Sequence, residues 1–251
     1  HQGDIYYTLR YKAAYDHLIV ECTISNRGDD VFRPEYSRLF IGVDSEMKTY
    51  PDWDTKFFPT LLRCEKDFAW GYFMSPRQII MGIGVEEPVA SYTLNYVYEG
   101  SMEWKWGHQI KTGSLDLLHC LPLPERHPQN NLSLKPHETR KWTLHLGVVD
   151  RLAGVKEKLS QWIQAPMIEC EKYTMAGHET SRLLIHSQSG LEKLIVKAPD
   201  GTQSVLPVDG VADNVYSALF SPSSQKGLYR ITATAINGKT AEASIYIRNP
   251  W

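Results

Sequence analysis

The sequence lacks an excess of charge of either sign: Lys and Arg number 27 against 29 Asp and Glu in 251 residues, a formal net charge of −2. So balanced a chain has no basic field to gather nucleic acid or an anionic membrane surface, and neither partner is expected. No apolar run approaches the roughly 20 residues that span a bilayer, so no membrane span is expected. His1-Gln2-Gly3-Asp4 lacks the charged and then apolar order of a signal segment, so either the protein is made without a leader or, as a secreted setting would require, the leader is removed. Cysteine is scarce, and Cys22, Cys64, Cys120 and Cys170 form no C-x-x-C pair, which removes zinc-ribbon and thioredoxin readings. Buried thiols are expected, because Cys22 and Cys170 fall on alternating patterns where Cys behaves as a small apolar residue. Gly82-x-Gly84 lies within an alternating stretch with no helix after it, so it makes no phosphate loop. Asn131-Leu132-Ser133 matches a glycosylation sequon short enough to arise by chance.

What the sequence does contain is alternation. Val20, Cys22 and Ile24 share one face of a strand and Glu21, Thr23 and Ser25 the other. Asn26 to Asp30 is a turn cluster, after which Leu39, Ile41 and Val43 resume the period of two. Further strands are expected over 78–85, with Ile79, Met81, Ile83 and Val85 alternating, and over 90–98, 109–118 and 140–148. In the last of these Trp142, Leu144, Leu146 and Val148 face one way. The Pro- and Asn-rich stretch 121–135 reads as a loop. One segment is helical: 151–164 carries Leu152, Val155, Leu159, Trp162 and Ile163 on a single stripe, with Asp150 placed to cap it and Pro166 to end it. Beyond it, short strands recur with turn signals at Ala198-Pro199-Asp200-Gly201 and at Asn237-Gly238, the latter predicting a type I′ hairpin.

These elements predict an all-β chain: a large antiparallel β-sandwich over 1–150, a helical linker over 151–165, and a smaller sandwich over 166–251. Gly227-Leu228-Tyr229-Arg230-Ile231 resembles the tyrosine corner of immunoglobulin-like domains, with Ile231 where antibody domains carry Cys. The second sandwich is therefore expected to be immunoglobulin-like and free of the antibody disulfide.

The first sandwich carries a second resemblance. Thr23-Ile24-Ser25-Asn26-Arg27-Gly28-Asp29, then Phe32-Arg33-Pro34-Glu35 and Leu39 to Asp44, is similar to the amino-terminal sandwich of bacterial carbohydrate-active enzymes. So is Leu134-Lys135-Pro136-His137-Glu138-Thr139 running into Trp142-Thr143-Leu144. That sandwich is of the supersandwich or galactose-mutarotase-like kind, and it precedes the helical toroid of six-hairpin glycosidases from Bacteroidetes and related polysaccharide-degrading proteins. The resemblance implies a secreted or periplasmic setting, a poly- or oligosaccharide partner, and a catalytic domain following this chain. In such enzymes the acid and base usually sit in the toroid, and the sequence holds no series of helical hairpins to build one.

Carbohydrate contact needs exposed aromatic faces beside polar groups. Asp52-Trp53-Asp54 and Trp104-Lys105-Trp106-Gly107-His108 supply both, so Asp52, Trp53, Asp54, Trp104, Trp106 and His108 are the candidate binding residues. Packing in a core or interface is the commoner use of such rings. His108, His119, His127, His137 and His145 crowd one region but form no close His-x-His or His-x-x-x-His pair, so they read as surface or loop residues. Glu86, Glu87, Asp116, Glu125 and Glu138 could supply a glycosidase pair, though nothing in the sequence brings two of them together. The expected function is a non-catalytic accessory region supporting a catalytic domain or contacting glycan, with no catalytic residue, metal or cofactor of its own. Two alternatives stay open: a sugar-active enzyme with its site in the first sandwich, and a cell-surface protein-interaction module.

Overall fold

A computed structural model describes residues 3–42, 58–75, 77–98, 108–119, 121, 128–223 and 225–248. The chain forms two compact units, His1–Val155 and Lys156–Trp251. Among the described residues it is all-β apart from one helical segment.

The first unit contains β1 (Ile5–Ala13), β2 (Leu18–Asn26), β3 (Tyr36–Gly42), β4 (Phe58–Cys64), β5 (Ala69–Met74), β6 (Ile80–Val85), β7 (Ser91–Tyr98), β8 (His108–His119) and β9 (Thr139–Val149). A six-stranded sheet runs β1-β2-β9-β6-β5-β4, and a three-stranded sheet runs β3-β8-β7. Every pairing in the two is antiparallel. Val20, Cys22 and Ile24 point into the core as their alternation requires, joined there by Phe73, Ile83, Leu115, Trp142 and Leu144. The Trp142 ring is wholly buried, and its Nε1 donates to the Pro88 carbonyl at 3.0 Å, which also accepts from Asn131 Nδ2 at 2.7 Å. Cys22, Cys64 and Cys170 are buried, and desolvation pushes the Cys22 thiol up to about 11; Cys120 lies outside the described residues.

The two stretches that carry the carbohydrate-enzyme resemblance meet at one side chain. Asn26 is buried; its Nδ2 donates to Asp30 O at 2.7 Å and Lys135 O at 3.0 Å, while its Oδ1 accepts from Gly28 N at 3.1 Å. Backbone bonds from Asn26 N to Glu138 O and between Phe32 and Leu134 close the same seam. A buried amide with every bond filled fixes the turn 26–30 against the return of the chain at 134–138.

Two strand expectations shift. The strand expected over 78–85 begins at Ile80, because Gln78 adopts φ 62° in a tight turn closed by Gln78 N to Ser75 O and Ser75 N to Ile79 O. Ile79 is thereby thrown out of the alternation to 42% exposure while Ile80 is buried. In β9 the inward face holds for Trp142 and Leu144, but Val148, paired with Met81, is 60% exposed.

The second unit begins within α1 (Val155–Ile163), which follows a 3₁₀ turn at Leu152–Gly154. Asp150 does not cap it: Arg151 occupies the N-cap of that turn and makes no side-chain cap bond. The helix is built into its unit at its far end. Ser160 Oγ sits 2.7 Å from Ala165 O and 3.1 Å from His186 O, and Lys239 Nζ donates to Ile163 O at 2.9 Å. Asn237 Nδ2 donates to Gln164 O at 2.7 Å, so the last carbonyls of α1 find partners from a distant hairpin.

The strands that follow are β10 (Met167–Cys170), β11 (Thr174–Ala176), β12 (Ser181–His186), β13 (Leu191–Lys197), β14 (Gln203–Val205), β15 (Gly210–Ala212), β16 (Val215–Phe220), β17 (Gly227–Ala235) and β18 (Thr240–Arg248). One sheet runs β10-β12-β16-β15 and the other β11-β18-β17-β13-β14, with β11 parallel to β18 and all other pairs antiparallel. Tyr229 is buried, and its hydroxyl lies 2.6 Å from Ser223 Oγ and 3.0 Å from Gln225 O, the bond back to the preceding loop expected of a tyrosine corner. The hairpin at Asn237-Gly238 is not the predicted two-residue type I′. Type I′ needs positive φ at both central residues. Only Gly238 has it, at 86°, and residues 236–239 separate the strands.

Candidate functional site

The outward side of the six-stranded sheet assembles polar groups from strands distant in sequence. Because Trp142 and Leu144 point inward, Thr143 and His145 of β9 point outward, and the register sets Thr143 opposite Glu21 and His145 opposite Ile19 of β2. The β1–β2 turn then delivers Asp16 and His17. His17 Nδ1 lies 2.7 Å from Asp16 Oδ1, His17 Nε2 lies 2.9 Å from His145 Nδ1, and His145 Nε2 lies 2.7 Å from Glu86 Oε1. Four side chains thus form one linear chain, Asp16–His17–His145–Glu86, with the imidazoles shielded and the carboxylates at its ends more open.

Each of the three contacts in that chain is within hydrogen-bond length. A metal ion does not fit between the facing nitrogens, since two Zn–N bonds of about 2.0–2.1 Å need a nitrogen separation well beyond 2.9 Å. Among the described residues no group of three or more His, Cys, Asp or Glu is placed to hold a metal.

Beside this chain, Glu21 accepts from Lys141 Nζ at 2.7 Å and Lys12 Nζ at 2.9 Å. Lys141 first and Lys12 second hold the Glu21 carboxyl well down, at about 2, and Glu21 in turn raises Lys141. Glu87 accepts from the Thr143 backbone N–H at 2.6 Å, so the Glu86-Glu87 dipeptide after β6 grips β9 at Thr143 and His145. On the second unit, His186 Nε2 lies 3.4 Å from Glu169, and this contact is the main cause holding the Glu169 carboxyl below its usual range.

The candidate carboxylates are divided among separate partners. Glu86 meets His145, Glu87 meets Thr143, Asp116 meets Arg38 and Ser91, and Glu138 meets Arg140 and the Lys135 N–H; Glu125 lies outside the described residues. Of the histidines, His119 Nδ1 accepts from Leu121 N and His137 pairs with Asp29 near the surface, while His127 lies outside the described residues. His145 was expected at the surface or in a loop; it is instead buried within β9. Asp52, Trp53, Asp54, Trp104 and Trp106 lie outside the described residues, as does the side chain of His108 at the start of β8. Asp16 and His17 are the residues that the sequence patterns left unmarked. Their only local signal is a polar Asp-His pair before Leu18, and their partner lies 128 residues away.

No family model matches the sequence, and no curated protein matches it. Thirteen chains of solved structures match its fold. A polysaccharide lyase matches over 100% of this chain and 35% of its own, with a TM-score of 0.68 at 17% identity. A DUF4785 family protein from Legionella pneumophila matches over 96% of this chain and 69% of its own, at 8% identity and a TM-score of 0.27. The BSP domain of a biofilm associated protein matches over 98% of this chain and 51% of its own, at 7% identity and a TM-score of 0.24. The last two scores are too low to argue from. The chain thus has the fold of a segment of a polysaccharide lyase and spans about a third of that protein's length.

Proposed function

We propose that this chain is the β-sandwich region of a secreted or periplasmic carbohydrate-active protein, acting beside a catalytic domain rather than as a catalyst. The observation that carries the reading is the match of the whole chain, both units in order, to a segment of a polysaccharide lyase. In this reading the sandwich over 1–150 supports a catalytic domain or contacts glycan, and the helix over 151–165 connects it to the rest. The sandwich over 166–251 is an immunoglobulin-like spacer. Its strand order and the Tyr229 bond to the preceding loop support the comparison with that fold. Asp52, Trp53, Asp54, Trp104, Trp106 and His108 remain the proposed glycan contacts of the first sandwich.

The test is affinity electrophoresis of the chain through gels containing neutral and acidic polysaccharides, run beside a turnover assay for reducing ends and unsaturated uronate products. Retardation without turnover is the expected result. No retardation in any gel, together with a stable protein complex in pull-downs, would favour a protein-interaction module instead.

A second reading is favoured by one observation, the Asp16–His17–His145–Glu86 chain. Two shielded imidazoles in hydrogen-bond contact, each beside a carboxylate, are groups of the kind used for general acid–base work. If the chain alone turns over a polysaccharide and His145→Ala abolishes turnover, the sandwich is itself an enzyme.

A further inference from the structure

The second unit holds a pocket of about 460 Å³ between its two sheets, near the tyrosine corner. Its volume lies within the range of sites that take small molecules, roughly 300–1,000 Å³. The floor is apolar. Phe220 and Tyr229 are both buried and pack edge to face with centroids 5.4 Å apart, beside Val196. The rim is polar and exposed: Asp200, Thr202 and Ser204 rise from the β13–β14 turn and β14, and Ser221, Ser223 and Gln225 from the β16–β17 loop.

The rim is held in place by its own bonds. Asp200 Oδ1 accepts from Thr202 N at 2.9 Å, and Oδ2 accepts from Gln225 Nε2 at 2.7 Å, which ties the turn on one side to the loop on the other. Those donors, Thr202 first, also hold the Asp200 carboxyl below its usual range, so it is ionised and accepts only. Ser223 Oγ is fixed against the Tyr229 hydroxyl at 2.6 Å. Gly227, at φ 123°, lets the chain turn into β17 beside Pro199, where a side chain would meet the ring within 3.1 Å.

The chemistry of this lining selects a ligand class. Among the described lining residues Asp200 is the one carboxylate and none is cationic. An anionic ligand would meet uncompensated repulsion there, and a divalent cation would find a single carboxylate where it needs six or more oxygens. An apolar ligand would strip water from the hydroxyl rim without replacing its bonds. Serine and threonine hydroxyls both donate and accept, so they match a ligand that is itself a ring of hydroxyls with an apolar face. The geometry points to a binding site in the second unit for one neutral pyranose unit of a glycan, held in this pocket by its hydroxyl rim and the Asp200–Gln225 pair.

This inference rests on the carbohydrate reading above, and the experiment separates the two. The full chain is titrated with methyl glycosides of glucose, galactose and mannose, and with glucuronate as the anionic probe, while backbone amides are followed by NMR. The expected result is saturable shifts at Thr202, Ser204 and Gln225 with at least one neutral glycoside, and binding of glucuronate weaker by about tenfold. Asp200→Ala should weaken the neutral ligand by about tenfold, the loss of a bond to a charged acceptor. Asp200→Asn should retain neutral binding and narrow the gap to glucuronate, a result that a purely structural role for Asp200 does not produce. No saturable shift with any neutral glycoside, or equal binding of glucuronate, overturns the site. If the chain is still retarded by a polysaccharide while these amides stay unmoved, the pocket falls and the broader reading stands.

Discussion

His17 Nε2 and His145 Nδ1 face each other at 2.9 Å across the β1–β2 turn and the middle of β9, each imidazole held from behind by a carboxylate, Asp16 or Glu86. The four groups are expected to act as one unit because three successive contacts link them. Removing either ring strands the other in a shielded site with an unmatched nitrogen. His17→Ala and His145→Ala are each expected to cost about 1–3 kcal/mol. Their double mutant should cost less than the sum, with a coupling of about 0.5–3 kcal/mol. Urea unfolding of the four proteins of the cycle measures this, and additive losses would show that the rings act independently.

The Glu21 carboxylate between Lys12 and Lys141 gives a pH signature of defined sign. Its pKa falls from the ordinary carboxylate value of 4.5 to about 2 in the folded protein. A lowered folded value means stability that is present above the unfolded pKa and lost as the pH falls through the folded one. The acid limb of a stability profile between about pH 4.5 and 2 should therefore flatten in Glu21→Gln. Because the site is open to solvent, the effect should also shrink in high salt. Thermal melts across that pH window at low and high salt test both statements, and an unchanged acid limb would remove Glu21 from the account.

Tyr229 fastens the β16–β17 loop to the second sandwich through one hydroxyl. Tyr229→Phe keeps the buried ring and leaves the Gln225 carbonyl and the Ser223 hydroxyl to find other partners. The expected loss is about 1–2 kcal/mol. It should appear as faster amide exchange across residues 223–229, with the six-stranded sheet of the first unit unaffected. Exchange that quickens equally in both units would contradict a local role.

The alternation of Val20, Cys22 and Ile24, and of Trp142 and Leu144, was enough to assign both strands and their inward faces, because a strand half in a core must repeat every two residues. The same alternation puts His145 on the outward face. It cannot say what stands opposite, since the partner is chosen by strand order and hairpin register, and β2 and β9 are separated by six intervening strands. For that reason His17 went unmarked and the histidines seemed scattered. Ile79 failed for a different reason. It precedes the strand, in the turn where Gln78 has positive φ, while Met81, Ile83 and Val85 keep the expected inward face. The Asn237-Gly238 turn misled because its two residues fit type I′ chemistry, whereas Asn237 is also used to satisfy the end of α1.

Asn26 offers the sharpest test of how the first sandwich is closed. Its amide nitrogen donates to Asp30 O and Lys135 O, and its oxygen accepts from Gly28 N, all within a buried site. Asn26→Ala removes the whole set and leaves an N–H and two carbonyls unpaired, at an expected cost of about 1–3 kcal/mol. Asn26→Asp is nearly the same shape but worse in chemistry. It keeps the acceptor facing Gly28 and replaces the donor with a second oxygen aimed at two carbonyl oxygens. Near neutral pH the carboxylate is repelled and poorly solvated, so its folded pKa must rise above the unfolded value of about 3.9. A raised carboxylate pKa means that the protonated form is favoured on folding, so stability is recovered as the pH falls. The Asp variant should thus be less stable than the Ala variant at neutral pH and gain on it in acid, as the protonated oxygen regains a donor. Denaturant melts of both variants from neutral pH downward decide the matter: curves that stay parallel would mean that the amide nitrogen does not hold the two stretches together.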